Sequence, residues 1–347
     1  MVPLANAQDY PLWVNVVIFL AAAIVVWIGG SRLAVYVDSI SRVTGMGQAF
    51  AGMLFLGGIT SLPEVANVVT SSWNGSPGLA VNNLLGSAAI NVLLLAVADA
   101  FIGRDALTSV TAKPSTLLLG TLCILVLIVV AASITTGDVL LFGIGAWSLS
   151  LAVISIAAFW LSAGYDRRSS WQVTEESGAR RALEEETGGT DPLRTLAAKT
   201  IAAGSAIFLA GYVLSQTGDA LADQTGLGTS MVGFALIGLA TSLPELSSII
   251  GTVRLRRYEM AFGQILGTNF INLSLILIAD AFFAGGPVIN ELGSFEILSA
   301  LLGASLIGIF LVGLLERRDS TILRMGYDSF AVMVVFLGGM ILLSSAM

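Results

Sequence analysis

The sequence predicts an all-α polytopic membrane protein: ten transmembrane helices, arranged as two inverted five-helix repeats with broken core helices. Three observations predict it. The 347 residues are 56% hydrophobic and only 11% charged, with a mean hydropathy of +0.89, whereas soluble domains carry about 25% charged residues. The basic residues fall in alternate loops. A stretch of sequence also recurs at an offset of 181 residues.

Ten apolar runs can be read along the chain, at 12–30, 48–72, 78–101, 115–134, 139–163, 200–217, 229–252, 259–284, 293–315 and 326–346. Each is near or above the ~20 residues that a helix needs to cross ~30 Å of hydrocarbon. The first run is preceded by Met1–Pro11, which has no basic residue. It therefore reads as a retained helix and not as a cleaved signal. The abundant glycine, 38 residues, suits close helix packing in lipid.

The loops set the orientation. Arg32 and Arg42, then Arg104 and Lys113, then Arg167 through Lys199, then Arg254, Arg256 and Arg257, and finally Arg317, Arg318 and Arg324 account for all 16 basic residues. The intervening loops, around Asn74, Asp138, Asp219–Asp223 and Glu291, have none. By the positive-inside rule the first set is cytoplasmic. Both termini are then extracytoplasmic, in a plasma (cell inner) membrane. There is no histidine and one cysteine, Cys123. That composition excludes an internal disulfide, a Ser–His catalytic pair and an ordinary zinc site.

The repeat aligns Gly57-Gly-Ile-Thr-Ser-Leu-Pro-Glu64 with Gly238-Leu-Ala-Thr-Ser-Leu-Pro-Glu245. Without a gap it also aligns Leu85-Gly-Ser-Ala-Ala-Ile-Asn91 with Leu266-Gly-Thr-Asn-Phe-Ile-Asn272, and Ala98-Asp-Ala-Phe101 with Ala279-Asp-Ala-Phe282. Five spans per copy is an odd number, so the second copy enters the membrane from the opposite side, as in many secondary transporters. The expected division is residues 1–163 for the first repeat, 164–198 for a charged cytoplasmic linker, and 199–347 for the second repeat.

Ionisable groups in a bilayer interior cost roughly 2.5–3.5 kcal/mol or more, so a duplicated pair of glutamates there points to use. Pro63 and Pro244 cannot donate to the preceding turn and should interrupt the helix beside Glu64 and Glu245. Thr60 and Ser61 place hydroxyls just before the break. Ser87 and Asn91 share one helix face at i and i+4, and Thr268 and Asn272 repeat the pattern. The inventory is all oxygen donors, which suits hard cations such as Ca²⁺. The lack of thiolate and imidazole disfavours soft metals. Asp99 and Asp280 also match across the repeat, about 12 Å beyond their asparagines along each helix. They are expected toward opposite membrane surfaces, in capping or interfacial roles.

At these motifs the chain resembles the sodium/calcium exchanger family of the calcium/cation antiporters. The resemblance implies bent second, third, seventh and eighth helices, across which the first and sixth slide. It implies central cation sites formed by Glu64 and Glu245, the backbone carbonyls of Thr60 and Thr241, and the hydroxyls of Ser61, Ser242, Ser87 and Thr268. The side chains of Asn91 and Asn272 complete them. The implied reaction is Ca²⁺ efflux driven by Na⁺, with both ions as substrates, the lipid bilayer as partner, no cofactor and no nucleic acid. Asn82 and Gln264 depart from the family pattern, and Asn272 stands where some members have Asp, which leans toward K⁺ independence. Three other readings remain: an H⁺-coupled Ca²⁺ (or Mn²⁺ or Mg²⁺) antiporter of the same fold, a channel, and an intramembrane hydrolase built on Asp99 and Asp280.

Overall fold

The computed structural model of the chain describes residues 7–100, 114–162, 165, 191–226, 242–316, 321–322 and 325–344. The described helices are α1 (Leu12–Thr44), α2 (Gln48–Thr60), α3 (Leu62–Trp73), α4 (Pro77–Asp99), α5 (Pro114–Thr136), α6 (Ala146–Ser162), α7 (Leu193–Thr225), α8 (Leu243–Arg254), α9 (Tyr258–Phe282), α10 (Ser294–Glu316) and α11 (Tyr327–Ser344). Two hairpins, β1 (Leu140–Leu141) with β2 (Ile144–Gly145) and β3 (Thr321–Ile322) with β4 (Met325–Gly326), precede α6 and α11. Six described helices are long and apolar enough to cross a bilayer, and α2 with α3 make a seventh if the bent pair is one span. The protein is an integral membrane protein. The loop with Arg104 and Lys113, the linker residues 164 and 166–190, and residues 229–241 of the expected seventh span lie outside the described residues.

Several expected boundaries change. Helices α1 and α7 are each 33 residues long, about 50 Å of helix, well beyond the hydrocarbon thickness. Their extra turns carry Arg32, Asp38 and Arg42 in α1 and Arg194 and Lys199 in α7. The expected span 139–163 opens as a hairpin, and the helix starts only at Ala146. Phe142 (φ 53°) and Gly143 (φ 85°) form its two-residue turn, and two successive positive φ values are what such a turn requires. An apolar Leu-Leu-Phe run hides that turn from a hydropathy reading.

The 181-residue offset carries α1 onto α7, α3 onto α8, β1 onto β3 and β2 onto β4 with identical bounds. The repeat is therefore written in secondary structure as well as in sequence. Burial sorts the helices into layers. The apolar windows of α4 and α9 are 72% and 67% buried, against 17% for α1 and 33% for α7. So α4 and α9 form the centre, and α1 and α7, packed on one another, lie outside with α1 also against α8.

Helix α2 meets α9 backbone to backbone. A Cβ on Gly52 would strike the Met260 carbonyl, and one on Gly263 the Ala49 carbonyl. Small residues let helices approach this closely where lipid supplies no hydrophobic drive between them. At the α8–α9 junction Arg257 Nε donates to Asp38 Oδ1 at 2.7 Å, and Arg42 Nη2 pairs with Asp38 Oδ2 at 2.9 Å. This buried ion pair ties α1 to the core.

Asp99 and Asp280 end the two central helices and hold the hairpins. Asp280 accepts from the N–H of Gly145 at 2.5 Å and of Val288 at 2.6 Å, and Asp99 accepts from that of Gly326 at 2.7 Å. Gly145 and Gly326 are themselves repeat partners, so each half's central helix anchors the other half's hairpin.

Two predictions concern stability in detergent, read by thermal or denaturant unfolding. Arg256 adopts φ 56° where its repeat counterpart is Gly75 at φ 79°. Arg256→Gly should stabilise by about 1 kcal/mol, by removing the left-handed strain. Asp280→Ala strands two buried N–H groups and should destabilise by about 2–4 kcal/mol.

Candidate functional site

The site begins with a broken helix. Within α2, residues Gly52–Gly57 form a π-helical stretch, a local widening that recurs at functional positions. The chain then turns by 45° between α2 and α3. Ser61 sits at the joint with φ −80° and ψ −1°. Pro63 occupies the first turn of α3, and Pro244 that of α8, where a missing N–H costs nothing. The prolines therefore start new helices after the break. The Ile59 carbonyl, which Pro63 cannot serve, is reached instead by a backbone N–H at the cap.

This geometry puts Glu64 in the first turn of α3 and Glu245 in the first turn of α8. A helix N-terminus carries partial positive charge and favours an anion there. Each half-helix thus supplies part of what holds its own carboxylate. Glu64 is near enough to Glu245 for its charge to act on it. Ser87 lies beside Glu64, and Thr60, from the other half, lies beside Glu245.

Of the ten residues expected at the site, nine are described and all nine are buried. Thr60, Asn91, Glu245, Thr268 and Asn272 are fully buried, and Ser61, Glu64, Ser87 and Ser242 nearly so. Thr241 lies outside the described residues. Helices α2, α4 and α9 converge here. The π stretch rests on α9, where a Cβ on Gly57 would stand 3.0 Å from the Thr268 nitrogen and 3.1 Å from its Oγ1. Asn91 Nδ2 on α4 donates to Asn269 Oδ1 on α9 at 3.5 Å.

The hydrogen-bond inventory of these residues is incomplete. Glu64 Oε2, both carboxylate oxygens of Glu245, Ser87 Oγ, Asn91 Oδ1, Thr268 Oγ1 and both amide atoms of Asn272 are buried without a hydrogen-bond partner. Nearly all are oxygens. Ser61 Oγ donates to the Gly57 carbonyl at 2.8 Å and Thr60 Oγ1 to the same carbonyl at 3.5 Å. Using the proton this way leaves the hydroxyl lone pairs available. No ion pair among the described residues reaches Glu64 or Glu245. No group of three or more His, Cys, Asp or Glu side chains comes together among them either. The central charge is two carboxylates, supplemented by neutral oxygens. Such a set can bind a hard cation.

Asp99 and Asp280 do not join this cluster, since their oxygens face the hairpins. Two polar contacts escaped the sequence reading. Asn269 joins α9 to Asn91, and Gln264 Nε2 donates to Ser248 Oγ at 2.6 Å, whose hydroxyl lies over the Pro244 and Glu245 carbonyls. The signal for Asn269 was a mismatch within the repeat, because its counterpart is Ala88.

Comparison with known proteins places this geometry. The family described as sodium/calcium exchanger protein matches residues 14–166 and 196–344. The putative antiporter CaxA of Alkalimonas amylolytica is 26% identical over 321 residues, covering 90% of this chain and 96% of the relative. The inner membrane protein YrbG of Escherichia coli K12 is 26% identical over 276 residues, 78% of this chain and 80% of the relative. The solved structure of the sodium-calcium exchanger NCX_Mj soaked with Na⁺ and Sr²⁺ superposes with a TM-score of 0.70 at 16% identity, over 97% of this chain and 99% of that one. The fold is the one seen there.

One prediction follows from the unpartnered carboxylates. A buried carboxylate without a partner destabilises its host. In buffer free of Na⁺ and divalent cations at pH 8, Glu245→Gln should therefore unfold at higher temperature than the parent. The expected gain is roughly 1–3 kcal/mol, and added Ca²⁺ should no longer raise the transition.

Proposed function

The chain belongs to the sodium/calcium exchanger protein family, and from that premise we propose that it is a secondary active antiporter exchanging Na⁺ for Ca²⁺ by alternating access. The observation that carries the proposal is the pair of buried glutamates, one from each half, which no ion pair among the described residues reaches and whose oxygens Glu64 Oε2 and Glu245 Oε1 and Oε2 have no hydrogen-bond partner. Two carboxylates neutralise one Ca²⁺, or two Na⁺. Either load relieves the cost of the buried charge, and both cannot occupy the same oxygens at once. That competition couples the two fluxes. Glu64 and Glu245 are the charged ligands. The carbonyls of Thr60 and Thr241, the hydroxyls of Ser61, Ser242, Ser87 and Thr268, and the amides of Asn91 and Asn272 complete the shell.

The proposed architecture is ten crossings in two inverted repeats, in a plasma (cell inner) membrane with both termini outside. The matched element bounds support it, as does the exchange of hairpin anchors between halves. In this scheme α1 and α7, the least buried of the long helices, slide across the core. Access switches between two states of similar free energy.

In proteoliposomes, an outward Na⁺ gradient (high Na⁺ inside) should drive ⁴⁵Ca uptake. Glu64→Gln and Glu245→Gln should each lower it by roughly 100-fold, as expected when a buried charge loses its counter-charge. Uptake driven by a pH gradient alone, without Na⁺, would assign the coupling to H⁺ instead. Undiminished uptake by either glutamine variant would remove that glutamate from the site.

A further inference from the structure

The two asparagines of the cluster stand in different surroundings, although the repeat makes them equivalent. Asn91 Nδ2 donates to Asn269 Oδ1 at 3.5 Å, and Asn269 Nδ2 in turn donates to the Ala88 carbonyl at 3.5 Å, one turn before Asn91. Asn269 is fully buried, and Cys123 of α5 lies beside it. An amide has a donor end and an acceptor end. With the donor end of Asn91 engaged by Asn269, its Oδ1 is the end left unpartnered, and that oxygen is buried. Asn272 has no such tether. Both its Nδ2 and its Oδ1 are unpartnered, and the residue at the position equivalent to Asn269 in the first half is Ala88, which has no polar side chain to offer.

We propose that Asn269 is a positioning residue that fixes the amide of Asn91 with its oxygen toward the cations, so that the site has one fixed amide and one that is free to turn. The inference rests on the cation-site reading above and adds to it. The site is then asymmetric despite its duplicated origin. The Asn91 side presents an oxygen in every cation load, while Asn272 turns its oxygen to a cation or withdraws it. Asn269 itself touches no cation and acts only through Asn91.

The test is equilibrium Ca²⁺ binding to the purified full-length protein without Na⁺. It is read as the Ca²⁺ concentration that gives half-maximal protection against thermal unfolding. The wild type is compared with Asn91→Ala, Asn269→Ala, the double variant, and Glu64→Gln and Glu245→Gln. Asn269→Ala should weaken Ca²⁺ binding by about fivefold to tenfold, the scale of one hydrogen-bonded ligand. Asn91→Ala should weaken it by at least as much, and the double variant should bind no more weakly than Asn91→Ala alone. Asn269→Asp, which keeps the acceptor for Asn91 Nδ2, should restore most of the loss. Wild-type binding by Asn269→Ala overturns the proposal, and so do single-variant losses that multiply in the double variant, since a structural effect spread over α9 adds independently. If Glu64→Gln and Glu245→Gln both bind Ca²⁺ as the wild type does, the cation-site reading fails and this inference falls with it.

Discussion

The rest of the structure depends on one electrostatic constraint. Two carboxylates, Glu64 and Glu245, are buried near enough for their charges to interact, and no ion pair among the described residues balances them. Other buried acids in the chain are provided for. Asp38 has Arg42 and Arg257, Asp99 and Asp280 have backbone N–H donors from the hairpins, and Glu296 has the N–H of Gly293. Desolvating an ion costs several kcal/mol even after relaxation. A fold that satisfies its structural acids and leaves these two unmatched among its described residues supports the cation site proposed above.

The scaffold explains how such a pair is tolerated. The break at Ser61 places Glu64 in the first turn of α3, and Glu245 stands in the first turn of α8, where the local dipole favours each. Irregular backbone at membrane depth is sustained only inside protein or beside water. Here the π stretch of α2 is covered by α9, to which glycines allow close approach. The hairpins fix the ends of the central helices through Asp99 and Asp280, far from the cluster. The long helices α1 and α7 stay outside this rigid part. The ion pair of Asp38 with Arg257 links α1 to it.

Most of this was legible in the sequence because a membrane restricts the choices. Hydropathy marked the apolar runs, and the repeat singled out the residues proposed for the site. Nine expected site residues are indeed buried, and the helix breaks where Thr-Ser-Leu-Pro-Glu stands. The misses share a cause. Hydropathy does not distinguish a short apolar hairpin from a helix end, so Leu140–Gly145 read as helix. The Phe142-Gly143 turn was visible only as a glycine in an apolar run. Asp99 and Asp280 could be placed along their helices but not paired, because their partners are backbone N–H groups that carry no residue-type signal. Asn269 was overlooked because a repeat draws attention to matches, and its meaning lies in a mismatch with Ala88.

The central claim is that the charge missing between Glu64 and Glu245 is a transported cation. The most direct measurement is anomalous diffraction from crystals soaked in Sr²⁺, a scatterer that stands in for Ca²⁺, with and without competing Na⁺. The account predicts a strong anomalous peak within about 2.3–2.8 Å of oxygens from both glutamates, lost as Na⁺ rises. A peak confined to the surface, or one between the glutamates that Na⁺ does not displace, would contradict it.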